Sequence, residues 1–361
     1  RRKSVVSVME PNNLLVIMAD EHNPKMLGSA GHVLVKTPHL DALAARGTRF
    51  DRAYTNCPIC VPARASFATG RYVHDIGYWD NAIAYDGQVK GWGHHLQKAG
   101  VKVESIGKLH YRSEEDPTGL DEQHIPMHIK DGVGMIHMSV RKQFPDFNPP
   151  PPKPGGGAAG IVLEAGRGES EYTRYDRKVA ELASNWLLEQ ADVGEPWVLF
   201  VSFVTPHYPL LAPDEFFDLY PVDEMPMPKL GHQTNYTNHP WFADTMKINL
   251  GANGSDKEHK TAYAAYLGLC SFMDAMVGKV VDTLTDVGGL GRTRIIYTSD
   301  HGENAGARGQ WGKSNHYEEA SGIPLILAGA GVPVGKVSRT PVSLVDVHPS
   351  IINWMSAEDP D

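Results

Sequence analysis

The chain has 361 residues, 41% of them hydrophobic and 21% charged, with three cysteines and a formal net charge of −9 at pH 7. A chain of this length buries about 75% of its unfolded surface and needs no disulfide scaffold, which three cysteines could not build anyway. The acidic balance excludes a general nucleic-acid binder, which shows a basic face, but not a small anionic substrate, whose binding depends on local charge.

In chain order, residues 1–10 are basic, with no long apolar stretch and no convincing cleavage site. They read as a tag, leader or processing remnant rather than a signal peptide. The protein is therefore expected in the cytoplasm, with the periplasm as the alternative. Leu14–Met18 reads as a buried strand and Pro38–Arg46 as a short helix. Val101–Ile106 is the next strand. Asn148–Gly160 (NPPPPKPGGGAAG) reads as a surface loop that can be neither helix nor central strand. Tyr172–Gln190 has strong helical periodicity. Trp197–Phe203 is a strand, Glu258–Val287 a long helix with Met273 and Met276 in the core, and Arg294–Thr298 and Ile323–Ala328 are strands. No apolar run reaches the roughly 18 residues of a membrane span, so no membrane partner is expected. Short apolar strands between amphipathic helices predict an α/β fold, with a mostly parallel central sheet sandwiched by helices. A single domain over residues 1–361 is expected, since α/β enzymes often hold this length as one unit.

The residues just beyond the strands carry the chemistry. After Met18 come Ala19, Asp20, Glu21 and His22; after Ile106 come Gly107, Lys108, Leu109 and His110. After Phe203 come Val204, Thr205, Pro206 and His207; after Thr298 come Ser299, Asp300, His301 and Gly302. Open α/β sheets bind ligands beyond the carboxyl ends of their strands, so four polar strand ends predict one shared site. Asp20, Glu21, Asp300 and His301 suit a divalent metal: carboxylates favour Ca²⁺, Mg²⁺ or Mn²⁺, and a histidine shifts the preference toward Mn²⁺ or Zn²⁺. Taken alone, Lys108 and Lys313 read as surface charges and His207 as a packed loop histidine. Their positions after the strands and loops of the site bring them into it.

Cys57-Pro58-Ile59-Cys60 admits a redox pair or half a zinc site, although Cys270, the only other cysteine, lies in a predicted helix. The residues after Cys60 offer a third reading. Pro62 suits the first turn of a helix. That places Cys60 just before a helix N-terminus, which favours an anion, with Arg64 one turn on as a fork for an oxyanion.

Cys60-x-Pro62-x-Arg64-x-x-x-x-Thr69-Gly70 resembles the signature of the type I sulfatases, in the alkaline-phosphatase-like superfamily, and supporting motifs run from residue 14 to about residue 350. The resemblance implies that Cys60 is oxidised to Cα-formylglycine by a formylglycine-generating enzyme. The hydrated aldehyde is then the nucleophile, and its second hydroxyl expels sulfate after transfer. Arg64 would hold the hydrate and the ester oxygens, and Asp20, Glu21, Asp300 and His301 would ligate one divalent ion, Ca²⁺ by family or Mn²⁺. Gly107-Lys108-x-His110 matches a G-K-x-H motif whose Lys and His contact the sulfate or nucleophile. His207 would sit near the leaving oxygen, Lys313 on a bridging or peripheral oxygen, and Asn81 on the substrate.

The implied activity is arylsulfatase-like hydrolysis of a small anionic sulfate monoester. The alternative is a phosphonate monoester or phosphodiester hydrolase, since His301 is shared with that branch. Its members tend to carry uncharged hydroxyl residues where this chain has Lys108 and His110, which favours the sulfatase reading. A non-catalytic binding module would lack the nucleophile or a ligand. Family members continue past the region matching Thr340–Met355 into a C-terminal subdomain with a short antiparallel sheet. This chain stops at Asp361, so that subdomain is expected to be missing. A homo-oligomer is also expected.

Overall fold

A computed structural model describes residues 12–129, 158–191, 193–230, 237, 239–240 and 254–356. Its core is a nine-stranded sheet: β1 (Asn13–Asp20), β2 (Gly47–Tyr54), β3 (Lys102–Lys108), β4 (Glu122–Met127), β5 (Trp197–Pro206), β6 (Thr293–Ser299), β7 (Gly322–Gly329), β8 (Lys336–Ser338) and β9 (Val342–Ser343). The order is β8-β2-β7-β6-β1-β5-β3-β4, with β9 also against β2. All pairings are parallel except those of β7, which runs antiparallel to β2 and β6. The predicted mostly parallel α/β sheet is present.

Both faces are covered, as an unbroken apolar strand requires. Alternate side chains of β1 point to opposite faces. Leu15, Ile17 and Ala19 pack with α1 (Pro38–Ala45), α4 (Glu171–Glu189) and α5 (Asp256–Asp286). Leu14, Val16 and Met18 pack with α2 (Cys60–Thr69), α3 (Trp92–Lys98) and α6 (Val347–Trp354). Both long helices begin with capping boxes. Ser170 accepts from the Thr173 N–H, and Ser255 from the Glu258 N–H while Glu258 accepts from the Ser255 N–H. Met273 and Met276 are buried as expected.

Three expectations change. Ala158–Leu163 is a helix, so the last three residues of the predicted 148–160 loop are helical, where the prolines end and Ala-Ala-Gly-Ile-Val-Leu begins. The rest of that loop, and residues 1–10, lie outside the described residues. By length and composition α5 could cross a membrane, contrary to the expectation that no stretch reaches that size, but most of its apolar window is buried inside this domain. Strands β2 and β4 were not expected. β2 is largely half-buried and β4 is a half-exposed edge strand, so neither shows an apolar run.

Candidate active site

The four strands that end in polar residues are neighbours in the sheet, β6-β1-β5-β3, so Asp20, His207, Lys108 and Asp300 emerge side by side. The turns after β1 and β6 are fastened together. Ser299 Oγ accepts from the His22 N–H at 3.0 Å and lies 3.1 Å from the Ala19 carbonyl, and Asp300 Oδ1 accepts from the Glu21 N–H at 3.2 Å. Helix α2 brings Cys60 in from its first turn, one residue further into the helix than expected, since Ile59 is the extended residue before it.

Asp20, Cys60, Asp300 and His301 are all buried, and one ligand atom from each falls within 4.8 Å of the others. His301 Nε2 is 3.2 Å from Cys60 Sγ, 3.6 Å from Asp20 Oδ1 and 3.7 Å from Asp300 Oδ1. Cys60 Sγ is 3.7 Å from Asp20 Oδ1. His301 Nδ1 lies 2.9 Å from the Gly302 carbonyl, which can only accept. Nδ1 therefore donates to it and Nε2 faces the cluster, the orientation of a ligating histidine. Two facing carboxylates and a ring nitrogen are a donor set that fits a divalent cation.

Cations on the protein balance these acids. Lys108 Nζ is 2.5 Å from Asp20 Oδ2. Burial works against the Asp20 anion, but Lys108, His207 and Arg64 hold its carboxyl well below the usual range. Arg64 Nε donates to Asp300 Oδ2 at 2.8 Å and Nη2 to Asp20 Oδ2 at 3.3 Å. Its Nη1 donates to the Lys108 carbonyl at 2.6 Å and to Ser202 Oγ at 2.9 Å. The sequence resemblance assigned Arg64 to the formylglycine hydrate and the ester oxygens. Four of its five guanidinium donors are engaged by the protein, two of them on the two acids. Ser202, hidden in the apolar run of β5, gives no sign of this role in the sequence.

Glu21 is not drawn into the quartet. Its φ of 68° turns the side chain away, and it groups with Asp20 and His207. Glu21 Oε2 accepts from Lys313 Nζ at 2.8 Å and lies 3.4 Å from His207 Nε2. Burial pushes the Glu21 carboxyl well above its usual range; Glu303 adds to this and Lys313 opposes it. Lys313 also lies over the Tyr208 ring, 4.9 Å from its centre. Burial, reinforced by Lys313, lowers His207 well below the usual histidine value. His110 follows Lys108 into the same region with a φ of 54° and a buried Nδ1 that has no hydrogen-bond partner among the described residues. Burial and Lys108 keep it neutral. Asn81 Oδ1 accepts from the Val61 N–H at 3.2 Å, capping the first turn of α2 beside Cys60. Burial and Asp20 push the Cys60 thiol up to about 12, so the unmodified side chain is a protonated, weak nucleophile at neutral pH.

A family model described as Sulfatase matches residues 12–357. A choline-sulfatase from Rhizobium meliloti is 32% identical over 94% of this chain and 66% of its own length. Arylsulfatase K from Bos taurus is 28% identical over 98% of this chain and 64% of its own. The chain thus spans about two thirds of the length of these relatives. In the fold, it resembles phosphonate monoester hydrolases from Agrobacterium radiobacter (TM-score 0.75, 21% identity, 96% of this chain and 74% of that one) and Silicibacter pomeroyi (TM-score 0.74, 24% identity, 97% and 74%). The family model, which matches nearly the whole chain, shows that this chain belongs to the sulfatase family.

Proposed function

We propose that the domain hydrolyses sulfate monoesters, with formylglycine made from Cys60 as nucleophile and one divalent ion, Ca²⁺ or Mn²⁺, held by Asp20, Asp300 and His301. The carrying observation is that the Cys60 side chain lies within 3.7 Å of both Asp20 and His301 in a buried site lined with cations. The ion supplies positive charge to the transferred group and lowers the pKa of an oxygen bound to it. Formylglycine supplies a hydrate nucleophile with a second hydroxyl for release, and its formation requires a maturing enzyme as partner.

The chain's own residues do the rest. Lys108 and Arg64 keep Asp20 ionised, and Arg64 holds Asp300 in place. Lys313, on the loop facing Cys60, meets charge that builds on the ester oxygens; removing one such preorganised donor costs about 10²–10³ in rate. His207 faces the site through Nε2; in its doubly protonated form the ring gives the Nε2 proton to the leaving oxygen, a contribution of about 10²–10⁴.

Peptide mass spectrometry across residue 60, paired with an aryl sulfate assay, tests this reading. We expect the mass of the aldehyde in place of the thiol, and turnover that Cys60→Ala abolishes. Fully converted protein that ignores aryl sulfate but cleaves a phosphonate monoester overturns the reading in favour of that chemistry.

A further inference from the structure

We propose that α4 carries a positioning residue, Asp176, whose carboxylate sets the orientation of His207; this rests on the reading of His207 as the group that protonates the leaving oxygen. Asp176 is fully buried. Its Oδ1 accepts from the Val204 N–H at 2.8 Å, and its Oδ2 from the Thr205 N–H at 2.7 Å and the Thr205 hydroxyl at 2.6 Å. All three donors belong to the two residues just before Pro206-His207.

The sheet cannot hold that segment itself. β1 pairs with β5 regularly from Leu14↔Val198 to Met18↔Ser202, then slips so that Asp20 pairs with Pro206. On the other side, pairing with β3 ends at Gly107↔Ser202. Phe203, Val204 and Thr205 therefore leave the ladder, and buried backbone N–H groups need other partners. Asp176 provides two of them. Its burial pushes the carboxyl up to about 7 against those hydrogen bonds.

The same helix face also touches the ring. Tyr172 lies one turn before Asp176, and residues four apart share a face. The Tyr172 ring meets His207 in an edge arrangement at 6.0 Å, and Tyr208 stacks on it at 4.2 Å. His207 Nδ1 is 2.5 Å from the Tyr208 carbonyl, so Nδ1 donates there and Nε2 faces the site, 3.4 Å from Glu21. The Asp176 clamp fixes the backbone that presents this ring. In the sequence Asp176 reads as one polar residue of a cover helix. Its one signal there is an acid on the buried face of an amphipathic helix.

The test compares two substrates with matured enzyme. An alkyl sulfate has a poor leaving group that needs a proton, whereas 4-nitrophenyl sulfate does not. Asp176→Asn keeps the shape but places an amide NH₂ against one of the N–H donors. We expect its kcat on the alkyl sulfate to fall about 10-fold or more beyond any fall on 4-nitrophenyl sulfate, with KM little changed, in the manner of His207→Ala. Thr205→Val removes only the hydroxyl donor and should show the same selectivity at smaller size, which carries the test if Asp176→Asn does not fold. Equal losses on both substrates overturn the proposal and leave the sulfatase reading standing. Protein that hydrolyses neither sulfate refutes the sulfatase reading instead. Nitrogen NMR of the His207 ring, identified by its loss in His207→Ala, then decides: signals displaced in Asp176→Asn support the clamp, and unchanged signals refute it.

Discussion

Arg64 is held by oxygens of the protein itself: Asp300, Asp20, the Lys108 carbonyl and Ser202. A lysine carries the same charge but not the planar fork that spans these partners. Arg64→Lys is therefore expected to lower kcat on an aryl sulfate by about 10²-fold or more, because Asp20 and Asp300 lose their alignment. It should also lower the thermal midpoint, since buried polar groups are left unpaired. Both are read from kinetics and thermal unfolding of the same preparation, and a variant with unchanged kcat contradicts this role. Asp20, Asp300 and His301 were legible in the sequence because each follows an apolar strand, and Cys60 because it stands in a motif of fixed spacing. The direction of Glu21 was not legible. Adjacent residues share a position in sequence, but a φ of 68° turned this one toward Lys313. Arg64 was legible and its bond to Ser202 was not, because Ser202 reads as one more residue of an apolar strand.

Among elements, α1 has no capping side chain of its own at Thr37. Asp274, on α5, takes that role: its carboxylate accepts from the Leu40 N–H at 2.8 Å and the His39 N–H at 3.1 Å. Burial pushes this carboxyl from 3.8 up to about 7, against those hydrogen bonds. The folded chain thus binds this proton more tightly than the unfolded one. The stability it contributes is complete below the unfolded value and is lost as pH rises through the folded one. A tenfold difference in proton affinity between the two states corresponds to about 1.4 kcal/mol. Asp274→Asn cannot titrate, so the gap in stability between wild type and variant should move in the variant's favour as pH rises from about 4 to about 7. Denaturant melts of both proteins across that range check it, and a gap independent of pH refutes it. The long helices and apolar strands were legible because their periodicity and length are unambiguous. β2, β4 and the cap of α1 from α5 were not, since they depend on half-buried faces and on contacts 234 residues apart.

For the whole molecule, the sheet order makes four separate polar strand ends into one site, and no periodicity along the chain reveals that order. Convergence was expected from the rule that open sheets bind at strand carboxyl ends; the contiguous run β6-β1-β5-β3 is what realises it. Asp20 and Asp300 end neighbouring strands whose residues are far apart in sequence, and Cys60 comes from a helix on one face of the sheet. A cation bound among them would fasten these elements to one another only in the folded state. Binding restricted to the folded state stabilises it by about 2.7 kcal/mol at a hundredfold excess over Kd. In a chain of this length each kcal/mol moves the midpoint by about 1.3 °C. A chelator is therefore expected to lower the thermal midpoint by about 3 °C or more, and added Ca²⁺ or Mn²⁺ to restore it, whichever is the natural ion restoring it at the lower concentration. Asp300→Asn removes a ligand and should make the midpoint insensitive to both treatments. This measurement needs neither a converted Cys60 nor a substrate, so it tests the metal site apart from the chemistry. A midpoint that ignores chelator and added ion alike would mean that Arg64 and Lys108, rather than a bound cation, hold these acids together.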